Sequence, residues 1–380
     1  IQTMPKAGIY IHMPFCRVKC MYCDFYSVAD RDDAIPAFFE ALLKEIDMCE
    51  TDTSGWIIDT IFIGGGTPSL TPPHQLEKLI RTLDRKFNIS QVTEFTMETN
   101  PGEAPADSLK AYRELGVNRI SMGVQSLEPS LLQFLTRIHG PEEVFKTFDA
   151  ARHAGFDNIN CDLIFNIPGQ TIDIWQRDLQ RIIDLEPEHM SCYSLTVEEG
   201  TQLYQYVNRG KVTMPSNDQS AEFYQWTQST MTDNGFEQYE ISNWSKPNLE
   251  CKQNLHYWEI EPYLAFGPSA HGFDGKNRFS NIRNLDGYIK NLGDGNLPRQ
   301  DDYELSDKDR TNEMIGFGLR IKNGVNLSKI PNMYRKSFDQ SIIENHSKWG
   351  NYFIKENDRI KLTSEGYSFA DAIAVDMMID

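Results

Sequence analysis

Cys16-Arg-Val-Lys-Cys20-Met-Tyr-Cys23 follows directly on the apolar run Gly8-Ile-Tyr-Ile-His-Met-Pro-Phe15. The run predicts a strand ending near Phe15, with the three cysteines on the loop after it. Thiolates are soft ligands, and a compact thiolate loop suits zinc or an iron–sulfur cluster. A closed structural zinc site wants four ligands, usually as two separated pairs. A fourth local ligand is missing here, because Phe25 stands where one more cysteine could have been. On a four-iron cluster, three protein ligands leave one iron open, and an open iron can bind and activate something.

The C-x₃-C-x₂-C spacing, with Tyr22 before the last cysteine and Gly64-Gly-Gly66 downstream, resembles the radical SAM superfamily. The resemblance implies a 4Fe-4S cluster on Cys16, Cys20 and Cys23. Its open iron would chelate the amino and carboxylate groups of S-adenosylmethionine. An electron from the cluster would cleave the sulfonium and give a 5′-deoxyadenosyl radical. The readings of another class are a structural zinc-binding interaction protein, or buried free thiols.

Outward from this loop, the first two-thirds of the chain alternates short β-rich runs with longer helical patterns. Residues 8–12, 57–63, 94–98, 119–123, 158–164 and 189–195 read as strands. Residues 35–48, 73–84, 106–114, 141–154 and 172–184 read as helices. Such alternation predicts an α/β fold with a parallel sheet of βαβ units. Periodicity does not separate a doubly wound sheet from an open six-unit (β/α) relative of the TIM barrel. The resemblance implies the second, a radical SAM partial TIM barrel. In either fold, ligands gather at the C-terminal ends of the strands.

Each candidate site follows or ends a strand. Gly64-Gly-Gly-Thr-Pro-Ser69 is an ordinary turn or a place where backbone closely approaches a ligand. Met97-Glu98-Thr-Asn-Pro101 puts a carboxylate at a strand end, solvated or accepting from a ribose. Ser121-Met-Gly-Val-Gln125-Ser126 and Cys161-Asp162-Leu-Ile164 close the next two strands, and Asn166-Ile-Pro-Gly-Gln-Thr171 comes after. Arg137 is a surface charge or a fork for a carboxylate.

Five stretches resemble one branch of the superfamily, that of the oxygen-independent coproporphyrinogen III oxidases and the haem chaperones of the HemW family. They are Tyr10-Ile-His12-Met-Pro-Phe15-Cys16, Gly64-Gly-Gly-Thr-Pro68, Gly123-Val-Gln125-Ser126, Asp162-Leu-Ile164 and Pro168-Gly-Gln-Thr171. The resemblance runs over nearly the whole chain. It implies that Tyr10 packs near S-adenosylmethionine and that Gly65, Gly66 and Thr67 meet its methionine end. It implies too that Glu98, Gln125, Arg137 and Asp162 hold the amino-acid and ribose groups.

At 380 residues with a net charge of −18, the chain has room for two or three domains and carries no basic footprint. That argues against nucleic acid and against charge-driven docking on an anionic membrane. Twenty-one Phe, 16 Tyr and 6 Trp are ample for a large core. Seven cysteines, with Cys49, Cys161, Cys192 and Cys251 scattered, do not make a disulfide scaffold. No signal-peptide pattern and no transmembrane segment is read, so the expected location is cytoplasmic, where a reducing environment suits an oxygen-sensitive cluster.

The expected division is a radical SAM core over 1–200, a barrel extension on the substrate or haem side over 201–300, and a C-terminal α+β winged-helix-like domain over 301–380. In the middle part, 197–210 and 216–234 read as helices and 236–244 as a strand. In the last, helical patterns precede a hairpin around Asn357-Asp358, and a final helix covers 364–375. Its acidity favours a lid or interaction role over DNA.

Two departures separate the branch's members. The oxidases resemble a pattern with a fourth cysteine two residues after the third, where this chain has Phe25. The chaperones carry His-Asn-x-x-Tyr-Trp, associated with haem binding, and this chain has Gln253-Asn-Leu-His-Tyr-Trp258. Glutamine is a poor haem-iron ligand beside imidazole or thiolate. His256, His271 and Cys251 are the candidates to replace it, or else ordinary structural side chains. The resemblance thus implies a haem-binding chaperone that passes haem to acceptor proteins of respiration. An electron donor such as flavodoxin or ferredoxin would serve it. The alternative is an oxidase that abstracts hydrogen from a porphyrinogen propionate, with loss of carbon dioxide, on the way to porphyrin.

Overall fold

The computed structural model describes residues 4–379. Its architecture follows from alternation within the strands. In β1 (Lys6–Met13), Ala7, Ile9, Ile11 and Met13 are buried against helices, and Gly8, Tyr10 and His12 face the other way. The same two-faced pattern runs through β2 (Ile57–Gly65), β3 (Glu94–Thr99), β4 (Arg119–Gln125), β5 (Ile159–Phe165) and β6 (His189–Ser194). The outward faces carry Ile61, Met97, Ile120 and Leu163, and the inward faces carry Glu98, Ser121, Asn160 and Asp162.

These strands pair in parallel, each with the next in sequence. A doubly wound sheet reverses its order part-way, and this one does not, so the partial barrel is the right reading. The crossovers are α1 (Ile35–Met48), α2 (Pro73–Lys86), α3 (Ala106–Glu114), α4 (Pro129–Phe134) with α5 (Pro141–His153), and α6 (Ile172–Ile183). Each helix lays an apolar stripe on the outer face of the sheet. Phe38 of α1 is wholly buried there, edge-on to Phe15 at 5.2 Å. Truncating it to alanine is worth about 3–5 kcal/mol.

After β6 the chain carries α7 (Gln202–Asn208) and α8 (Asn217–Asp233). Helix α7 is shorter than expected, because Gly200 turns at φ 87° and Thr201 then caps the helix by accepting from Tyr204 N. The expected strand over 236–244 is a hairpin of β7 (Glu237–Glu240) and β8 (Asn243–Ser245), with β8 antiparallel to β6. Next come α9 (Lys252–Trp258), β9 (Tyr263–Phe266), β10 (His271–Phe273), β11 (Asn277–Asn281), α10 (Leu285–Gly293) and β12 (Arg299–Glu304). Strand β9 lies parallel to β1 on its free side, and β10 to β12 continue as an antiparallel meander. The six parallel strands therefore sit inside a twelve-stranded sheet, to which residues 237–304 add both edges.

The C-terminal part comprises α11 (Asp307–Gly318), β13 (Val325–Asn326), α12 (Asn332–Trp349), β14 (Phe353–Glu356), β15 (Arg359–Leu362) and α13 (Ala370–Met377). Its three strands form a separate antiparallel sheet, and the hairpin turns at Asn357 with φ 52°, a left-handed conformation that asparagine tolerates. This is the expected winged-helix-like α+β arrangement.

Helix α9 closes the N-terminal end of the barrel. Thr60 Oγ1 donates to Gln253 Oε1 at 2.5 Å. Glu94, the first residue of β3, caps the helix by accepting from Lys252 N at 2.9 Å and Gln253 N at 3.1 Å. Among the described residues, no helix is long and apolar enough to cross a membrane.

Candidate functional site

The cysteine loop leaves the opposite, C-terminal end of β1 and is tied at its base. Cys16 N donates to Val28 O at 3.0 Å, and Val28 N donates to Pro14 O at 2.7 Å. The end of β2 is bound to the same base through Gly66 N to Met13 O at 2.6 Å and Thr67 N to Phe15 O at 2.7 Å. Only glycine fits at 66, since a Cβ there would lie 2.5 Å from Phe15 O.

A polar chain joins two of the thiols. Thr67 Oγ1 donates to Cys16 Sγ at 3.7 Å, and Asn100 Nδ2 donates to Thr67 Oγ1 at 3.0 Å. Asn100 Oδ1 accepts from Arg137 Nη2 at 2.6 Å, and Arg137 Nη1 reaches Cys20 Sγ at 3.5 Å. Arg137 Nη2 also donates to Gly123 O at 2.7 Å. Arg137 is thus no surface charge; its fork is held against the thiol loop. Asn100 had no assigned role in the sequence, although it continues the inward set of β3 after Glu98.

Deeper in the barrel mouth, Glu98 Oε2 accepts from Gly65 N at 3.0 Å. Burial and the neighbouring Asp162 push the Glu98 carboxyl up to about 7, against the Gly65 amide and Arg119. Asp162 is raised by burial and opposed by its donors, among them Asn160 Nδ2 at 2.8 Å and Ser121 Oγ at 3.3 Å. Tyr10 OH donates to His12 Nδ1 at 3.0 Å, because His12 Nε2–H is spent on Tyr26 O at 2.7 Å. Burial holds His12 neutral, its pKa lowered to about 4. Gln125 lies at a bulge between β4 and β5 with φ 67°, a device that re-aims a side chain. A Cβ on Gly123 would stand 3.0 Å from both Gln125 Nε2 and Asn100 Oδ1, so these groups converge on one spot. Tyr10, Glu98, Asn100, Gln125, Arg137 and Asp162 are all half-buried.

Residues 10–182 match the family model of the Radical SAM superfamily. The chain is 38% identical over 331 residues to the protein named heme chaperone HemW of Bacillus subtilis, covering 87% of each. The chain belongs to the HemW family. With the HemW of Lactococcus lactis it shares 33% identity, over 98% of this chain and 97% of the other. Coproporphyrinogen III oxidase (HemN) from Escherichia coli superposes with a TM-score of 0.85, covering 98% of this chain and 90% of that one, at 21% identity. That likeness bears on the fold.

Membership of the radical SAM superfamily implies a 4Fe-4S cluster and S-adenosylmethionine, and the donor set of this HemW-family chain fits. Among the described residues, no three His, Cys, Asp or Glu side chains converge where a single ion could sit. Thiolates of a multi-iron cluster each take their own iron and need not converge. Without iron, burial pushes the Cys23 thiol up to about 11 and raises that of Cys16. Binding iron would displace their protons.

The three haem-ligand candidates are not brought together. Cys251 and His256 belong to the plugged end of the barrel, where the structure gives both of them partners other than a ligand. Cys251 is fully buried, its thiol faces Glu94 Oε1 at 3.6 Å, and burial pushes it up to about 12. His256 has Nε2 at 2.7 Å from Asp59 and Nδ1 at 3.5 Å from Glu261. Burial alone would lower its pKa, but the two carboxylates outweigh it and raise the imidazole to about 9. A protonated ring with both nitrogens occupied has no lone pair for iron. His271, the first residue of β10, is exposed at the open end and has no hydrogen bond among the described residues.

Proposed function

We propose that this chain binds haem and hands it to haem-requiring proteins, with a 4Fe-4S cluster on Cys16, Cys20 and Cys23 and S-adenosylmethionine in the barrel mouth. The observation that carries the reading is identity along nearly the whole chain to proteins named haem chaperones, at 33–38% in two of them. When bound, the cluster supplies one electron to the sulfonium. The chain's own groups do the rest. Thr67 and Arg137 direct donors at two of the thiolate sulfurs, which stabilises negative charge there. Glu98 and Asp162 accept from the amino and hydroxyl groups of the nucleotide. Tyr10 packs beside it, and Gly65 and Gly66 let backbone come close. Helix α9 excludes water from the far end of the barrel.

His271 is the proposed haem ligand, because its ring nitrogens are unspent. Acceptor proteins of respiration and a flavodoxin or ferredoxin are the partners this reading calls for, in a reducing cytoplasm. The oxidase alternative draws on the fold shared with HemN. Anaerobic reconstitution, then a haem titration beside a coproporphyrinogen turnover assay with reductant, decides between them. Stoichiometric haem uptake without decarboxylation supports the chaperone. Decarboxylation without stable haem binding overturns it.

A further inference from the structure

A line of hydrogen bonds runs through the barrel from Cys251, the N-cap of α9, to Asp162. Cys251 N donates to Tyr239 OH at 3.3 Å, and Tyr239 OH lies 2.7 Å from His189 Nε2. His189 Nδ1 lies 2.6 Å from Asn160 Oδ1. Asn160 Nδ2 donates to Asp162 Oδ1 and to Ser121 Oγ, both at 2.8 Å. Tyr239, His189 and Asn160 are buried, whereas Asp162 is half-buried.

The polarity of the line is determined by its carboxylate end. An ionised carboxylate only accepts, so Asn160 must turn its NH₂ toward Asp162. Asn160 Oδ1 then faces His189 and can only accept, which places the imidazole proton on Nδ1. His189 Nε2 is left to accept from the Tyr239 hydroxyl, and the Tyr239 oxygen accepts from the Cys251 amide. A reversed amide would set Asn160 Oδ1 against the Asp162 carboxylate, two acceptors with no proton between them. Burial holds His189 neutral, as this pattern requires. Ser121 Oγ adds a donor to Asp162 Oδ2 at 3.3 Å.

We propose that Asn160 and His189 are positioning residues for the Asp162 carboxylate, and that through Tyr239 they tie the nucleotide pocket to the helix at the other end of the barrel. The inference rests on the reading of Asp162 as a nucleotide contact. It is tested by calorimetric titration of S-adenosylhomocysteine into the anaerobically reconstituted protein, with the thermal midpoint recorded for every variant. His189→Leu should weaken binding about tenfold, and His189→Asn, whose Nδ2 restores the donor to Asn160, should recover most of it. Tyr239→Phe, a smaller perturbation of the same line, should cost about threefold and keeps the test open if His189→Leu does not fold. Asp162→Asn provides the reference. Loss of affinity in Asp162→Asn but not in His189→Leu or Tyr239→Phe overturns the positioning role and leaves the Asp162 reading standing. Unchanged affinity in all variants overturns both. Equal weakening in His189→Leu and His189→Asn, following their midpoints, reduces His189 to a core residue.

Discussion

The two ends of the barrel hold the same kinds of residue in opposite conditions. At the C-terminal end, Cys16, Cys20, Cys23, Glu98, Asp162 and His271 keep unspent donor or acceptor capacity and are half-buried or exposed. At the N-terminal end, Cys251, His256, Glu94 and Gln253 are buried and bonded to one another or to the strand ends. A reactive residue type therefore says little by itself. What separates a site from a strut is whether the polar atoms already have partners. Mutations at the open end should remove chemistry at small cost in stability, and mutations at the plugged end should do the reverse.

The largest effect expected is that of Cys20→Ala. It should abolish cluster assembly and S-adenosylmethionine cleavage, read by iron and sulfide analysis and by release of 5′-deoxyadenosine. Four irons per chain in that variant would sink the cluster assignment. Asn100→Ala should come next, lowering cleavage about 10–100-fold while the fold survives, because it frees both Thr67 and Arg137 from their places beside the sulfurs.

At the plugged end, His256→Phe should leave haem affinity unchanged and cost about 3 kcal/mol at neutral pH, since it leaves the buried Asp59 carboxylate only Lys6, at 3.7 Å, for a charge partner. The pH dependence has a definite sign. His256 is raised from 6.5 to about 9 in the folded state, so its ion-pair stabilisation is complete below 6.5 and is lost as pH rises through 9. Denaturant midpoints between pH 6 and 10 should fall for the parent chain and stay flatter for the variant. A loss of haem binding in His256→Phe, with stability intact, would put the haem at the wrong end for this comparison.

Glu98 gives a weaker signature at the open end. Its folded pKa is about 7 against 4.5, so ionising it costs the empty protein stability as pH climbs through that window. A ligand that donates N–H groups to Glu98 favours the ionised form. Affinity for S-adenosylhomocysteine, whose amino N–H groups are such donors, should therefore rise severalfold from pH 6 toward pH 8. Glu98→Gln should lose the dependence.

Much of the open end was legible beforehand because its residues sit at strand ends, where ligands gather in parallel α/β folds. The six long strands and their helices were legible for the same reason as any half-buried element, through periodicity. Glu94-Phe-Thr-Met-Glu-Thr-Asn100 and Arg119-Ile-Ser-Met-Gly-Val-Gln125 alternate polar with apolar residues, although a parallel strand covered on both faces usually reads as continuously apolar. That alternation announces a polar interior and would have placed Asn100 beside Glu98. Strands β7 to β12 were harder, being three to six residues long, too short for a period to declare itself. The fate of Cys251 and His256 was not legible at all, because burial there depends on Glu94 and Asp59, some 160 and 200 residues earlier in the chain.

The finest test of the comparison is Gln253→His, which restores to α9 the imidazole of the His-Asn-x-x-Tyr-Trp pattern. Gln253 is fully buried, accepts from Thr60 and donates from Nε2 to Tyr257 OH at 2.8 Å. A Cβ on Gly8 would lie 2.4 Å from Gln253 Oε1, which shows how closely the first strand presses on it. An imidazole there can keep one of the two hydrogen bonds in full and must shift to keep the other, so a loss of about 1 kcal/mol is expected. Gln253 bonds to Thr60, Glu94 and Tyr257, none of which belongs to the line that reaches Asp162, so haem affinity should change by less than about twofold, on the scale where 1.4 kcal/mol is a factor of ten. A tenfold gain in haem affinity from this one substitution would mean that α9 leaves its socket to meet haem. The saturated end of the barrel would then be a closed door, and the absence of spare hydrogen-bonding capacity would no longer distinguish a strut from a site.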